Sequence, residues 1–237
     1  MKQGIDVSEH QGIINWETAK QHIDFAILRA GYGRNTLDKQ FIRNARECNR
    51  LGIPIGIYWF SYALTVEDAH NEARKCIAAI RNYDISYPVC FDFEYDSVNY
   101  MQRNGVTPTK GLCTAMARAF LQDIEAAGYY AMNYTNKGFG NQYFDSSMPA
   151  RFDLWLASWY NNPDFGNPPK CGIWQWGGKA IPGIRGDIVD GNVTYKDYPA
   201  IIKGVSKPAE SDQYAAACDK LKTEGYDDII VSLANKI

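Results

Sequence analysis

The chain has 237 residues, 46% of them hydrophobic and 22% charged, which is enough apolar material for one sizeable core and excludes a disordered polymer. A formal net charge of −2 offers no basic face for a polyphosphate, so nucleic acid is not an expected partner. No run approaches the roughly 18 apolar residues of a membrane span, so no membrane insertion is expected, and the opening Met1-Lys2-Gln3 leaves no room for a secretory leader before the first strand-like run.

Eight apolar runs of strand length follow one another at 4–8, 25–30, 53–61, 87–94, 129–135, 154–159, 172–176 and 187–192. Helical patterns fill several of the intervals, at 38–51, 66–82 and 109–127, with Gly52 and Gly128 placed as C-terminal stops. Strands alternating with helices predict a parallel sheet, and eight such units predict closure into an α/β barrel. From Leu154 onward the connections are too short and too rich in Asn, Gly and Pro for full helices, so the predicted fold is an irregular (β/α) TIM-like barrel of eight strands with reduced helices in its C-terminal part. The barrel is expected to occupy residues 1–203, followed by a linker at 204–213 and a short helical tail at 214–237 that reads as the start of a wall-binding module.

Six cysteines (Cys48, Cys76, Cys90, Cys113, Cys171 and Cys218) lack metal-ligand spacing, and they read as reduced thiols of a protein made in the cytoplasm. His10, His22 and His70 are too few and too dispersed for a metal site, so neither a metal nor a cofactor is expected.

Four acids fall where strand-like runs end: Asp6, Asp92, Glu94 and Asp190. In an extended strand alternate side chains project to the same side, so Asp92 and Glu94 point together. Two carboxyls on one wall can divide acid and base roles, because crowding or burial raises one pKa while the other group stays ionised. Glycoside hydrolysis needs such a pair, and the chain's six tryptophans and sixteen tyrosines supply rings that can stack on sugars. Asp187 competes with Asp190 for the last position. The plain structural alternative is that Asp92 and Glu94 cap a loop or pair with Arg29 or Arg34. Glu9, on a loop near the same end, reads as solvated.

Several segments in order resemble the glycoside hydrolase family 25 lysozymes: Gly4-Ile5-Asp6-Val7-Ser8, Gln11-Gly12, Ile14-Asn15-Trp16, Phe25-Ala26-Ile27-Leu28-Arg29-Ala30-Gly31, Gly56-Ile57-Tyr58-Trp59-Phe60, Asp92-Phe93-Glu94, Leu154-Trp155-Leu156-Ala157 and Ile173-Trp174-Gln175-Trp176. The resemblance spans residues 4–195. It implies an endolysin-like 1,4-β-N-acetylmuramidase that cuts peptidoglycan between N-acetylmuramic acid and N-acetylglucosamine, acts at the cell wall and works as a monomer. It also implies roles: Glu94 as general acid, Asp92 as its neighbouring carboxylate, and Asp6 and Asp190 as further acids of the catalytic floor. Val189-Asp190-Gly191-Asn192 fits the family's ending and favours Asp190 over Asp187.

Substrate binding is expected from Tyr58, Phe60, Tyr134, Trp155 and Gln175 at the strand ends, with Trp159 and Trp174 as further candidates. The chain departs from the family in carrying Trp59 where a histidine is common, and Glu9-His10-Gln11 after the first aspartate. Two other functions remain in play: a glycan-binding module without turnover, which would lack one of the acids, and a chitin-directed glycosidase, which would carry a longer run of alternating acids than Val89-Cys90-Phe91-Asp92.

Overall fold

The computed structural model describes residues 1–159, 171–186 and 188–203. The expected linker and helical tail, and Asp187, lie outside the described residues. Nine strands are present among those described: β1 (Lys2–Val7), β2 (Phe25–Tyr32), β3 (Thr36–Leu37), β4 (Ile55–Phe60), β5 (Val89–Asp92), β6 (Ala131–Asn136), β7 (Asp153–Ala157), β8 (Ile173–Lys179) and β9 (Val189–Thr194). The helices are α1 (Trp16–Ala19), α2 (Phe41–Leu51), α3 (Val66–Ile80), α4 (Tyr95–Arg103), α5 (Lys110–Ala126), α6 (Lys137–Tyr143), α7 (Ser147–Arg151) and α8 (Tyr198–Lys203). None of them is long and apolar enough to cross a membrane.

The sheet runs β1-β9-β8-β7-β6-β5-β4-β2, and pairing of β1 with β2 closes it into an eight-stranded barrel, with β3 a two-residue appendage folded back on β2. The expected eight strands are all present and the reduction of helices is as read from the sequence. The all-parallel sheet is not: β9 runs antiparallel to both β8 and β1. A crossover helix is what returns a chain to run parallel, and the stretch between β8 and β9 contains none among the described residues.

The three long helices begin and end where their sequences provide partners for free backbone groups. The Thr65 side chain accepts from Asp68 N–H ahead of α3, the Thr109 hydroxyl accepts from Leu112 N–H ahead of α5, and Gly52 closes α2 at φ 67°. These helices pack their apolar sides on the outward-pointing strand residues, including Ile5, Leu28, Ile57, Trp59 and Phe91. His70 bridges α3 to α5, with Nδ1 2.7 Å from an Asp123 carboxylate oxygen.

The alternate strand residues point inward and fill the barrel with Phe25, Ile27, Tyr58, Cys90, Met132, Tyr134, Trp155 and Ile173, joined by Tyr87 ahead of β5 and Tyr198 on α8. Phe25 stacks on Tyr87 with centroids 4.4 Å apart, and a Cβ on Gly4 would stand 2.6 Å from the Phe25 ring, so the inward position two residues before Asp6 must be bare. At the bottom Tyr198 is fully buried and donates its hydroxyl to Asp153 at 2.6 Å. Cys48, Cys76, Cys90, Cys113 and Cys171 are buried free thiols.

Candidate active site

A cavity of about 290 Å³ opens at the C-terminal ends of the parallel strands. All nine residues singled out from the sequence line it: Asp6, Asp92, Glu94, Asp190, Tyr58, Phe60, Tyr134, Trp155 and Gln175. Each arrives on an inward-pointing strand position except Glu94, which stands two residues beyond the end of β5. Asp190 arrives differently from expectation. It is the second residue of β9, not its end, and reaches the mouth because that strand runs the other way, in register with Asp6.

Asp6 is the centre of a hydrogen-bonded chain. Its Oδ2 accepts from Gln175 Nε2 at 2.9 Å and from Asn192 Nδ2 at 2.8 Å. Gln175 Oε1 in turn accepts from Tyr134 Oη at 2.9 Å and from Trp159 Nε1 at 3.2 Å, while Asn192 Oδ1 accepts from Trp155 Nε1 at 2.8 Å. The Trp155 ring packs edge-on against Tyr134 and Tyr58, at centroid distances of 4.6 and 6.0 Å. Each amide therefore has its orientation fixed from behind, and both present N–H groups to one carboxylate. Burial and the neighbouring Asp190 push Asp6 up to about 7, against the pull of those two donors.

Asp92 and Glu94 form a second unit. Asp92 ends β5 and is 5% exposed, with Oδ1 buried and without a hydrogen-bond partner. Glu94, half-buried, stands ahead of α4, its backbone N–H donating to Ser97 Oγ at 3.1 Å. Burial raises the pKa values of both carboxyls, Asp92 well above its ordinary range, where the neighbouring Glu94 adds to the effect of burial.

Neither Arg29 nor Arg34 neutralises this pair. Arg29 Nε donates to Asp38 at 2.8 Å and its Nη2 to Glu9 at 3.1 Å, and Arg34 bonds to Asp68 at 3.0 Å. Glu9 is thus not the solvated loop residue the sequence implies; it belongs to an ion-paired cluster with Arg29, Asp38 and, at 3.9 Å, Lys39, of which Arg29 lines the cavity. Val7, Ser8, His10, Gln11 and Arg29 complete the lining.

Asn192 is the functional side chain that sequence reasoning left without a role. Its signal was available: it shares strand parity with Asp190, so it faces the same space. The intervening Gly191 faces outward, where a Cβ would meet the Trp176 ring at 2.3 Å. Trp174 also faces out of the barrel, bonding to the Ser158 carbonyl at 3.0 Å, and does not line the cavity. Trp159 is 44% exposed at the rim, as its place after the strand suggests. Trp59, the departure from the family pattern, is buried on the outer face with its indole N–H on the Gly33 carbonyl, so that substitution does not alter the cavity wall.

Comparison with known proteins agrees with this geometry. The family described as glycosyl hydrolases family 25 matches residues 5–184. Lysozyme M1 of Streptomyces globisporus is 28% identical over 201 residues, covering 78% of this chain and 65% of its own length, so the chain spans a little under two thirds of that relative. Among solved structures, the modular autolysin LytC of Streptococcus pneumoniae superposes with a TM-score of 0.70 at 30% identity, covering 82% of this chain and 46% of LytC. The bacterial lysozyme of Streptomyces coelicolor superposes with a TM-score of 0.69 at 22% identity over 88% of this chain and 98% of its own, a likeness of fold. With the family match spanning the barrel from β1 to the turn before β9, this chain belongs to the glycosyl hydrolases of family 25.

Proposed function

We propose that this chain is a peptidoglycan hydrolase that cleaves the β-1,4 bond between N-acetylmuramic acid and N-acetylglucosamine. The observation that carries the reading is the convergence of four carboxyls, Asp92 and Glu94 with pKa values raised by burial, in one cavity walled by Tyr58, Tyr134 and Trp155. Glu94 acts as general acid. It is the less buried member of the pair, so one proton held between the two leaves through it to the departing glycosidic oxygen.

Loss of that proton leaves Asp92 as an anion deep in the site, facing the positive charge that develops on the sugar ring. Asp92 steadies an oxazolinium that forms as the substrate's own N-acetyl oxygen bonds to the anomeric carbon and the glycosidic oxygen departs; water then adds to that carbon, opening the ring and returning a proton to the Asp92–Glu94 pair. Asp6 and Asp190 form the far wall, and the amides fixed on Asp6 orient it for the same charge. Tyr58, Phe60, Tyr134, Trp155 and Gln175 seat the sugar through rings and hydrogen bonds.

The site of action is the bacterial cell wall, and the chain works there without a nucleic-acid partner and as a monomer. A binding module without turnover would lack an acid from the set, and none is missing; a chitin-directed enzyme would carry further acids on β5, where Val89, Cys90 and Phe91 stand.

Purified cell walls treated with this protein and with Glu94→Gln test the reading. New reducing ends carried by muramic acid, released by the wild type and not by the variant, support it. Protein that sediments with walls and releases no ends overturns it in favour of a binding module.

A further inference from the structure

Arg29 is the only lysine or arginine among the described residues that line the catalytic cavity, which gathers Asp6, Asp92, Glu94 and Asp190. Strand parity sends it inward, since it follows Phe25 and Ile27 on β2 and is in register with Tyr58 of β4. Directly after it the pairing of β2 with β4 slips at a bulge, between Arg29 and Gly31. The carbonyl of the extra residue, Ala30, accepts from Asp38 N–H at 3.0 Å, which docks Asp38 beside Arg29.

Asp38, with its side chain 1% exposed, then fixes the arginine. Its Oδ2 accepts from Arg29 Nε at 2.8 Å and from Glu9 N–H at 2.9 Å, and its Oδ1 accepts from Gln40 N–H at 2.9 Å ahead of α2. Glu9 Oε1 accepts from Arg29 Nη2 at 3.1 Å. A planar guanidinium gripped at two nitrogens is oriented as well as located, which a lysine ammonium would not be. Neither Glu9 nor Asp38 lines the cavity, so this ion-paired cluster turns its positive member inward and keeps its negative members behind.

Arg29 bonds to neither Asp92 nor Glu94, so any effect on them is exerted through space. Asp92 is faced by Glu94 beyond its own strand, by Asp6 on β1, by Arg29 on β2, and by Tyr58 and Tyr134 on β4 and β6, whose hydroxyls burial keeps neutral; Asp190 on β9 and His10 after β1 line the same space. Burial, Glu94 and Asp6 all push Asp92 toward its neutral form, and Arg29 pushes it back. When Glu94 gives its proton to the departing oxygen, the pair is left anionic with Asp6 and Asp190 close by, and a cation already held in place needs no reorganisation at that moment. We propose that Arg29 is a positioning residue of the reaction: its braced guanidinium favours the anion on Asp92, so that the proton of the pair stands on Glu94, where the leaving group can take it. The inference rests on the peptidoglycan-hydrolase reading and adds to it a cause for the division of roles between the two carboxyls.

Two measurements decide it, each on wild type, Arg29→Lys and Arg29→Gln, the last removing the charge while keeping a donor for Asp38. The first follows Asp92 by carboxyl carbon NMR across pH. Asp92 is expected to ionise at higher pH in Arg29→Gln and to return toward the wild-type titration in Arg29→Lys. A titration that Arg29→Gln leaves unmoved overturns the proposal, whether or not the chain cleaves walls. If Arg29→Gln fails to fold with Asp38 stranded, combining it with Asp38→Asn removes the buried carboxylate as well, and the same displacement is expected of the double variant. The second measurement reads kcat and KM on purified walls against pH. Just below neutral pH, kcat should fall about ten- to a hundredfold in Arg29→Gln with KM little changed, short of the loss of a donor that meets the developing charge directly. The acid limb of the kcat profile should move to higher pH, because activity needs Asp92 ionised, and Arg29→Lys should recover the limb and part of the rate. Equal losses in both variants with an unmoved limb would make Arg29 a structural residue and overturn the proposal. A wild type that cleaves no glycan sinks the hydrolase reading instead, leaving the NMR titration to judge the charge of Arg29.

Discussion

Asp6 and Asp190 are register partners across the antiparallel pair of β1 and β9, so the two carboxyls enter one cavity from facing strands. Burial first and Asp190 second raise the Asp6 pKa to about 7. Asp190→Asn removes the second cause and keeps the first. The Asp6 titration is therefore expected to move toward acid while staying above its ordinary 3.8, as followed by carboxyl carbon NMR. An unmoved titration would mean that the two side chains do not sense each other.

Glu94→Gln preserves the shape of the pair and removes its ionisable outer member. Wall cleavage at neutral pH should fall by about 10²- to 10⁴-fold, the usual contribution of a general acid. Thermal stability should hold or rise, since a crowded carboxyl is lost from a cluster whose members raise one another's pKa values. A variant that loses activity and stability together would point to a structural role.

Trp155→Phe keeps most of the ring volume but deletes the indole N–H that Asn192 Oδ1 accepts at 2.8 Å. An unpaired buried acceptor costs about 1–3 kcal/mol, readable in denaturant unfolding. Because Asn192 then loses its fixed orientation toward Asp6, kcat should drop more than KM rises. Wild-type kinetics in a destabilised variant would remove Asn192 from the catalytic account.

Glu72 takes up its proton at about 8 in the folded chain, against an ordinary 4.5. Between those values the folded state binds more protons than the unfolded one, so stability falls as pH rises through this window. The full swing is of the order of a few kcal/mol. Glu72→Gln should flatten that part of the profile and make the variant relatively more stable at pH 9 than at pH 5, as measured by urea midpoints. Parallel profiles for the two proteins would show that Glu72 ionises normally.

Strand positions were legible because an apolar run bounded by turn residues looks the same however it is paired, and strand parity then sent Asp6, Asp92, Tyr58, Tyr134 and Gln175 to one interior. That same indifference hid the direction of β9: period-two alternation carries no arrow, and only the missing crossover helix sets it. Glu9 was misread for a different reason. Its partner Arg29 lies twenty residues away on the neighbouring strand, and local exposure tendencies know nothing of a contact that only barrel closure makes. The helix α4 escaped notice because Tyr95–Arg103 follows its strand with almost no loop.

The pairing of β1 with β9 also orders events in time. The two amides that hold Asp6 come from positions 169 and 186 residues further along the chain, so a growing polypeptide has its first catalytic-floor acid long before it has the groups that orient it. During synthesis from the N-terminus, β2 through β8 can assemble while β1 waits with one edge unpaired. The last strand to emerge is the one that shuts the barrel and delivers Asp190 and Asn192 together. On the proposed reading, hydrolytic competence should therefore switch on in a single late step, and a nascent chain stalled short of β9 should be inactive.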